Sequence, residues 1–235
     1  MANIDVLDIA FPLYNIEFPE FSIKHVSYTW ASQIDEKLAS KIISLMREVT
    51  SSTPIIGFGK TIVDEEAWKY VDELRENLKA GKCRLLTIIG NNGELMGLCT
   101  LKHNLNPNNS HIADLAKGMI AEKFRGQDVL SAAFYEIALM CEDNGVDLVT
   151  LDVRAETRAH HVWKHYGFVT YGVLPAYAKI NGALFAGHFM MQEVDDLKAR
   201  MEPILLRRVS GGRANLDELG ISTDDDEYCR VTRTH

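Results

Sequence analysis

The segment from Ile120 to Leu130 is the part of the chain best suited to hold a charged ligand. An apolar, strand-like run ends near Ile120–Ala121, a short polar turn follows through Arg125, Gly126 and Gln127, and Asp128, Val129 and Leu130 open a long helix. The first N–H groups of such a helix have no intrahelical acceptor. With the helix dipole they form a site for an anion such as a pyrophosphate. Arg125 adds a fixed positive charge beside it. The same residues also fit a purely structural role, with Arg125 on the surface, Gly126 in a turn and Asp128 as an N-cap. Two other constellations carry less. His161 and His165 lie i, i+4 as zinc-binding pairs can, but no third ligand accompanies them. Gly57-Phe58-Gly59 lacks the spacing of a phosphate-binding Walker loop and reads as a turn or a flexible lid.

The elements around that turn follow from periodicity. Phe21–Trp30 suggests a strand, and Ser32 opens a helix to about Val49 with Ile34, Leu38, Ile42 and Met46 at helical spacing. A loop spans Ser51–Gly59, and Asp64 is expected to cap a second helix ended by Gly81. Arg84–Gly90 and Glu94–Leu101 flank Asn91-Asn92-Gly93, a hairpin signal that demands positive φ. Ile112–Ala121 is a further strand in which Gly118 marks a weak point or a bulge. The helix Asp128–Asn144 is apolar almost all round and must be buried. Val146–Val153 has the near-continuous apolar character of an interior strand. A short helix at Thr157–Tyr166, a second hairpin around Asn181-Gly182 and a helix over Val194–Leu206 complete the order. The expectation is one α/β domain with a single sheet of mixed strand directions. It divides into an arm over residues 1–20, a main domain over 21–194, and a C-terminal helix with a polar acidic tail over 195–235.

A second motif follows the interior strand: Glu156, Ala159, Trp163, Gly167 and Phe168. Together with Arg125, Gly126 and Val129 and the element order, it resembles the GNAT superfamily of acyl-CoA-dependent N-acyltransferases. The resemblance spans roughly Phe21 to Met191 and implies an α/β fold with a mixed, mostly antiparallel central sheet flanked by helices. It departs from the family at Asp128 and Leu130, where the first motif has glycines, at Trp163, where a tyrosine is usual, and at Glu156, where the second motif has asparagine.

The resemblance implies aminolysis of a thioester, with acetyl-CoA (or another acyl-CoA) as co-substrate and a primary amine, here of a small molecule, as acceptor. It places the donor along Met119, Ile120 and Ala121, its phosphates at Arg125, Gly126, Gln127, Asp128, Val129 and Leu130, and its thiol near Trp163. Asp114 falls where family members carry a general base, with His111 as the alternative. Tyr166 and Tyr177 are the candidates to protonate the leaving thiolate, which water can also do. No metal is implied, and dimers through sheet edges or terminal strands are common in that family.

Composition agrees with a cytoplasmic enzyme. The 235 residues carry 33 acids against 25 bases, a net charge of −8 that disfavours nucleic acid as a partner and favours a cationic amine. No apolar run reaches the about 18 residues of a membrane span. Asp5, Asp8 and Pro12 interrupt the N-terminus, so no secretory signal is expected. Four cysteines show no CxxC spacing, and Cys83, Cys99 and Cys141 read as buried thiols rather than disulfide or zinc partners.

Overall fold

The computed structural model describes residues 13–14, 16–52, 62–125 and 129–209. The expectations for the start of the arm, most of the loop after the first helix, the turn Gly126-Gln127-Asp128 and the acidic tail lie outside them. Eight strands form one sheet, β1 (Leu13–Tyr14), β2 (Val26–Ala31), β3 (Cys83–Gly90), β4 (Leu95–His103), β5 (Ile112–Ile120), β6 (Leu148–Arg154), β7 (Val169–Ile180) and β8 (Ala183–Glu193), in the order β1-β2-β3-β4-β5-β6-β8-β7. Five helices pack around it: α1 (Glu36–Ser52), α2 (Asp64–Lys79), α3 (Val129–Asp143), α4 (Arg158–His165) and α5 (Val194–Val209). All neighbouring strands are antiparallel except β5 and β6. This is the mixed, mostly antiparallel sheet that the resemblance implies. No helix among the described residues is long and apolar enough to cross a membrane.

Strand alternation assigns the helices to faces. Tyr28 on β2 donates its hydroxyl to the Val129 carbonyl of α3 at 2.8 Å, and it shares its face with Ile88 and Gly97 through the strand register. Thr100, three residues past Gly97, is therefore on the opposite face, where the buried hydroxyl of Tyr70 from α2 meets it. α3 is buried nearly all round, as its composition requires, because α5 covers its outer side with Leu197, Met201 and Ile204. Near the N-terminus, Phe18 and Phe21 pack edge-on against Phe124 at 5.0 and 5.2 Å. Tyr14 of β1 donates to Glu136 of α3.

Several local details differ from the sequence reading. α1 starts at Glu36 rather than Ser32, because the Asp35 side chain accepts from Leu38 N at 2.7 Å and caps it. The N-cap of α2 is Val63, without a side-chain bond; Asp64 is its first helical residue and, with Glu65 and Glu66, favours the dipole. The strand expected over Phe21–Trp30 begins only at Val26, since Pro19–Phe21 is a 3-10 turn and Ser22 has φ +56°. Of the first hairpin turn only Gly93 has positive φ (+81°), whereas both Asn181 (+50°) and Gly182 (+86°) do in the second. The second is thus the two-residue turn that the Asn-Gly step signals, and the first is a longer loop closed by Gly93 N on Gly90 O at 2.7 Å.

The feature that shapes the molecule is where β5 and β6 part. They pair only at Ile112–Leu148, Ala113–Val149 and Asp114–Thr150. Beyond, β5 stays with β4 as far as Ile120 opposite Gly97, and β6 stays with β8 as far as Arg154 opposite Gly187. A wedge opens between them. On β5 the register jumps between Met119–Leu98 and Ala116–Thr100, so Lys117 and Gly118 bulge opposite Cys99, with Lys117 at φ +54°. Gly97 holds the free end of β5: a Cβ there would lie 2.4 Å from Ile120 Cδ1 and 2.7 Å from the Met119 carbonyl oxygen. Gly97→Ala is expected to destabilise the fold by about 1–3 kcal/mol through overpacking. Urea unfolding measures this, and an unchanged midpoint would show that the strand end yields without cost.

Candidate active site

The wedge has two sides, and the strand register distributes the candidate residues between them. On the side that carries α1 and α2, alternation puts Lys102 of β4, Asp114 of β5 and Thr150 of β6 side by side, with Asp152 one step further along β6. Thr150 donates its hydroxyl to Asp114 Oδ1 at 3.3 Å. Burial holds the Asp114 carboxyl above the ordinary carboxylate range; Asp152 adds to this, while Lys102 and the Thr150 bond pull the other way. Tyr177, from β7, donates its hydroxyl to Asp152 Oδ2. Burial first, then the bond to Asp152 and the charges of Asp152 and Asp114, raise this phenol well above the usual tyrosine value.

Tyr177 reaches Asp152 only because the sheet beneath it has no side chain. Its ring lies over Gly187, where a Cβ would sit 2.1 Å from Tyr177 Cγ, and edge-on to Phe189 at 6.2 Å. The register jump between Leu174 and Ala178 lets β7 fold this residue over β8. Sequence reasoning singled out Asp114 and Tyr177 separately, and the fold brings them together through Asp152. Asp152, Lys102, Thr150 and Gly187 went unrecognised. The alternation of Val149, Leu151 and Val153 with Thr150 and Asp152 is a signal that marks the polar pair as sharing a face.

On the opposite side stands Trp163. α4 is capped by Thr157, whose hydroxyl accepts from His160 N at 3.2 Å, and is seated by the stacking of His160 on His188 of β8 at 4.1 Å. This directs Trp163 into an aromatic group with Phe134 (5.4 Å) and Phe168 (5.1 Å). The indole reaches across to β5: its Cζ2 lies 3.9 Å from where a Gly118 Cβ would be. Trp163 and the Gly118 end of β5 thus lie close together. Met119 and Ala121 are buried, Ile120 half-buried. Arg125 folds back so that its Nε donates to the Ile120 carbonyl at 3.0 Å, next to the start of α3 at Val129 and Leu130. Gly126, Gln127 and Asp128 lie outside the described residues.

Two candidates stand apart from the wedge. Tyr166 lies in the contact between α4 and α3, its hydroxyl 3.3 Å from Ser131 Oγ and its ring 4.4 Å from Phe134; burial raises its pKa. His111 is exposed before β5, and its carbonyl accepts from Asp147 and Leu148 at the end of the sheet where β5 and β6 are still paired. Among the described residues no group of His, Cys, Asp or Glu could hold a metal ion. Cys99 and Cys141 are free thiols whose pKa burial pushes up to about 12, too high for ready nucleophilic use.

No family profile matches the sequence, and no curated protein matches it significantly. Solved structures do. An acetyltransferase of the GNAT family from Streptococcus pneumoniae superposes with a TM-score of 0.58 at 18% identity, covering 72% of this chain and 99% of that one. The fold is that of the GNAT acetyltransferases. A chimera of spermidine N-acetyltransferase from Vibrio cholerae and hSSAT gives 0.59 at 16% identity over 73% of this chain and 97% of that one. A Salmonella typhimurium acetyl transferase that modifies the N-terminal serine of a 50S ribosomal subunit protein gives 0.60 at 16%, over 72% and 94%.

The coupling of Tyr177 to Asp152 has a spectroscopic consequence. Asp152→Asn removes an anion that disfavours the phenolate, so the Tyr177 pKa is expected to fall toward the ordinary value while burial keeps it somewhat raised. Ultraviolet titration against a Tyr177→Phe control isolates this phenol. Equal titration in the wild type and Asp152→Asn would separate the two groups.

Proposed function

We propose that the chain is an N-acetyltransferase that moves an acetyl group from acetyl-CoA to the primary amine of a small cationic molecule in the cytoplasm. The observation that carries this is the parting of β5 and β6 directly after Asp114, with a carboxylate at its apex and Trp163 on its far side. Past Asp114, the backbone groups of β5 that point toward β6 have no strand partner, so an extended pantetheine arm can pair with them. The start of α3 beside Arg125 suits the diphosphate.

The acceptor approaches from the other side, between Asp114 and Asp152. Of the structures sharing the fold, one acts on spermidine and another on a protein N-terminal serine. A face with two carboxylates and the rings of Tyr177 and Phe189 favours a small cation of the first kind. Asp114 takes a proton from the acceptor ammonium, and the neutral amine adds to the thioester carbonyl. The oxyanion forms beside the free edge of β5, where backbone N–H groups are its donors. Tyr177 is the one phenol of the pair on this side, but its hydroxyl is given to Asp152 and its raised pKa makes it a weaker acid than an ordinary phenol, so water is the readier source of a proton for the departing thiolate. A second reading, a different thioester donor such as a carrier-protein thioester, is motivated by Asp128 and Leu130 in place of the first motif's glycines and by Trp163 in place of a tyrosine.

Calorimetry with acetyl-CoA tests the donor. Micromolar binding that Arg125→Ala weakens supports the first reading; silence with acetyl-CoA but heat with an acyl-carrier-protein thioester supports the second. For the base, the raised pKa of Asp114 means that activity rises with pH through a value above the about 4 of a free aspartate. Asp114→Asn is expected to abolish that acid limb and lower turnover about 100-fold or more. An unaffected rate and profile would return Asp114 to a structural role.

A further inference from the structure

We propose that Phe21 is a positioning residue for the donor: through Phe124 it fixes Arg125 at the place where the coenzyme diphosphate binds. The inference rests on the donor reading above and brings in a segment ahead of β2 to which that reading assigns no part.

Arg125 follows the 3-10 turn Glu122–Phe124, and this turn holds itself only weakly. It is three residues long and has no side-chain cap. Its residues are held instead from outside. Glu122 N donates to Glu48 Oε1 of α1 at 2.8 Å. Lys123 pairs with Glu94, in the turn between β3 and β4, at 2.5 Å. The buried Phe124 ring meets Phe18 at 5.0 Å and Phe21 at 5.2 Å, both edge-on at 77°.

This last grip is built by a loop that closes on itself. Pro19–Phe21 is another 3-10 turn, Ser22 has φ +56°, and Phe18 and Ile23 exchange backbone hydrogen bonds at 2.8 and 3.1 Å. The chain is thereby turned so that two rings, three residues apart, meet one partner. Phe18 is buried with Phe124 and belongs to the core. Phe21 is only half-buried, and its ring lies against Phe124 and, at 4.6 Å, the Lys123 ammonium. Both contacts fall on the turn that carries Arg125.

Fixing the turn fixes the arginine. Arg125 N donates to the Glu122 carbonyl at 3.2 Å and Arg125 Nε to the Ile120 carbonyl at 3.0 Å, so backbone and side chain are both tied to this stretch. The Nε bond uses one guanidinium donor, and the terminal nitrogens are the part suited to phosphate oxygens. The same segment bears on the start of α3 as well. Tyr14 packs edge-on at 5.0 Å against Tyr28, whose hydroxyl reaches the Val129 carbonyl. A long cationic side chain held in place before the ligand arrives loses less freedom on binding, which raises affinity without a new contact.

The test is calorimetry with acetyl-CoA on the full chain, in a cycle of wild type, Phe21→Ala, Arg125→Ala and the double variant. Phe21→Ala is expected to weaken binding about 10-fold, the worth of one charge-assisted hydrogen bond. The double variant is expected to bind no more weakly than Arg125→Ala alone, because Phe21 acts through that side chain. Phe21→Tyr keeps the ring and should restore the wild-type affinity. A merely structural role would lower the urea midpoint without this coupling. Should Phe21→Ala not fold, Phe21→Leu, which keeps an apolar side chain but no ring, takes its place in the cycle. Unchanged affinity in the Phe21 variant, or the same loss with and without Arg125, would overturn the inference and leave the donor reading intact. Absence of acetyl-CoA binding by the wild type would overturn the donor reading, and the inference with it.

Discussion

The arrangement depends on two strands that stop pairing. β5 and β6 share only a short parallel register ending at Asp114 and Thr150, and each is then held by its other neighbour. Glycines let the strands follow those other neighbours: Gly97 lets the end of β5 lie tight on β4 and Gly187 lets β8 follow β6 beneath Tyr177, and at both a Cβ would collide with its surroundings. On the far side Trp163 lies at ordinary contact distance from Gly118.

The wedge separates two environments. One side is aromatic, built by Trp163, Phe134 and Phe168 around the end of β5. The other is charged, with Lys102, Lys117, Asp114 and Asp152 near enough to perturb one another. Asp114, half-buried and in the field of a second carboxylate, has its pKa raised, while Asp152 accepts the hydrogen bond of the Tyr177 hydroxyl. The alternation of a strand is what makes the arrangement compact, since Asp114, Thr150 and Asp152 share a face by period alone.

Much of the architecture was legible in the chain. The buried character of α3, the Asn181-Gly182 turn and the interior position of β6 follow from apolar patterning and turn chemistry, both properties of neighbouring residues. Gly118 as a bulge was legible for the same reason, although the left-handed residue is Lys117 beside it. Caps were less so: Asp35 and Val63 replaced Ser32 and Asp64 because several polar residues compete for a helix start and tertiary contacts choose among them.

Asp114 and Tyr177 came forward through the resemblance to GNAT proteins; the sequence by itself determined which stretches become strands and helices and that one α/β sheet results. Local patterning and residue type suffice for that. Only the tertiary structure decided that Asp114, Asp152 and Tyr177 meet, that Tyr166 is spent on Ser131 instead, and that Lys117 takes a left-handed conformation in the β5 bulge. Those facts depend on pairing register between strands far apart in the chain and on two glycines that admit a side chain from elsewhere, and no window of neighbouring residues encodes either.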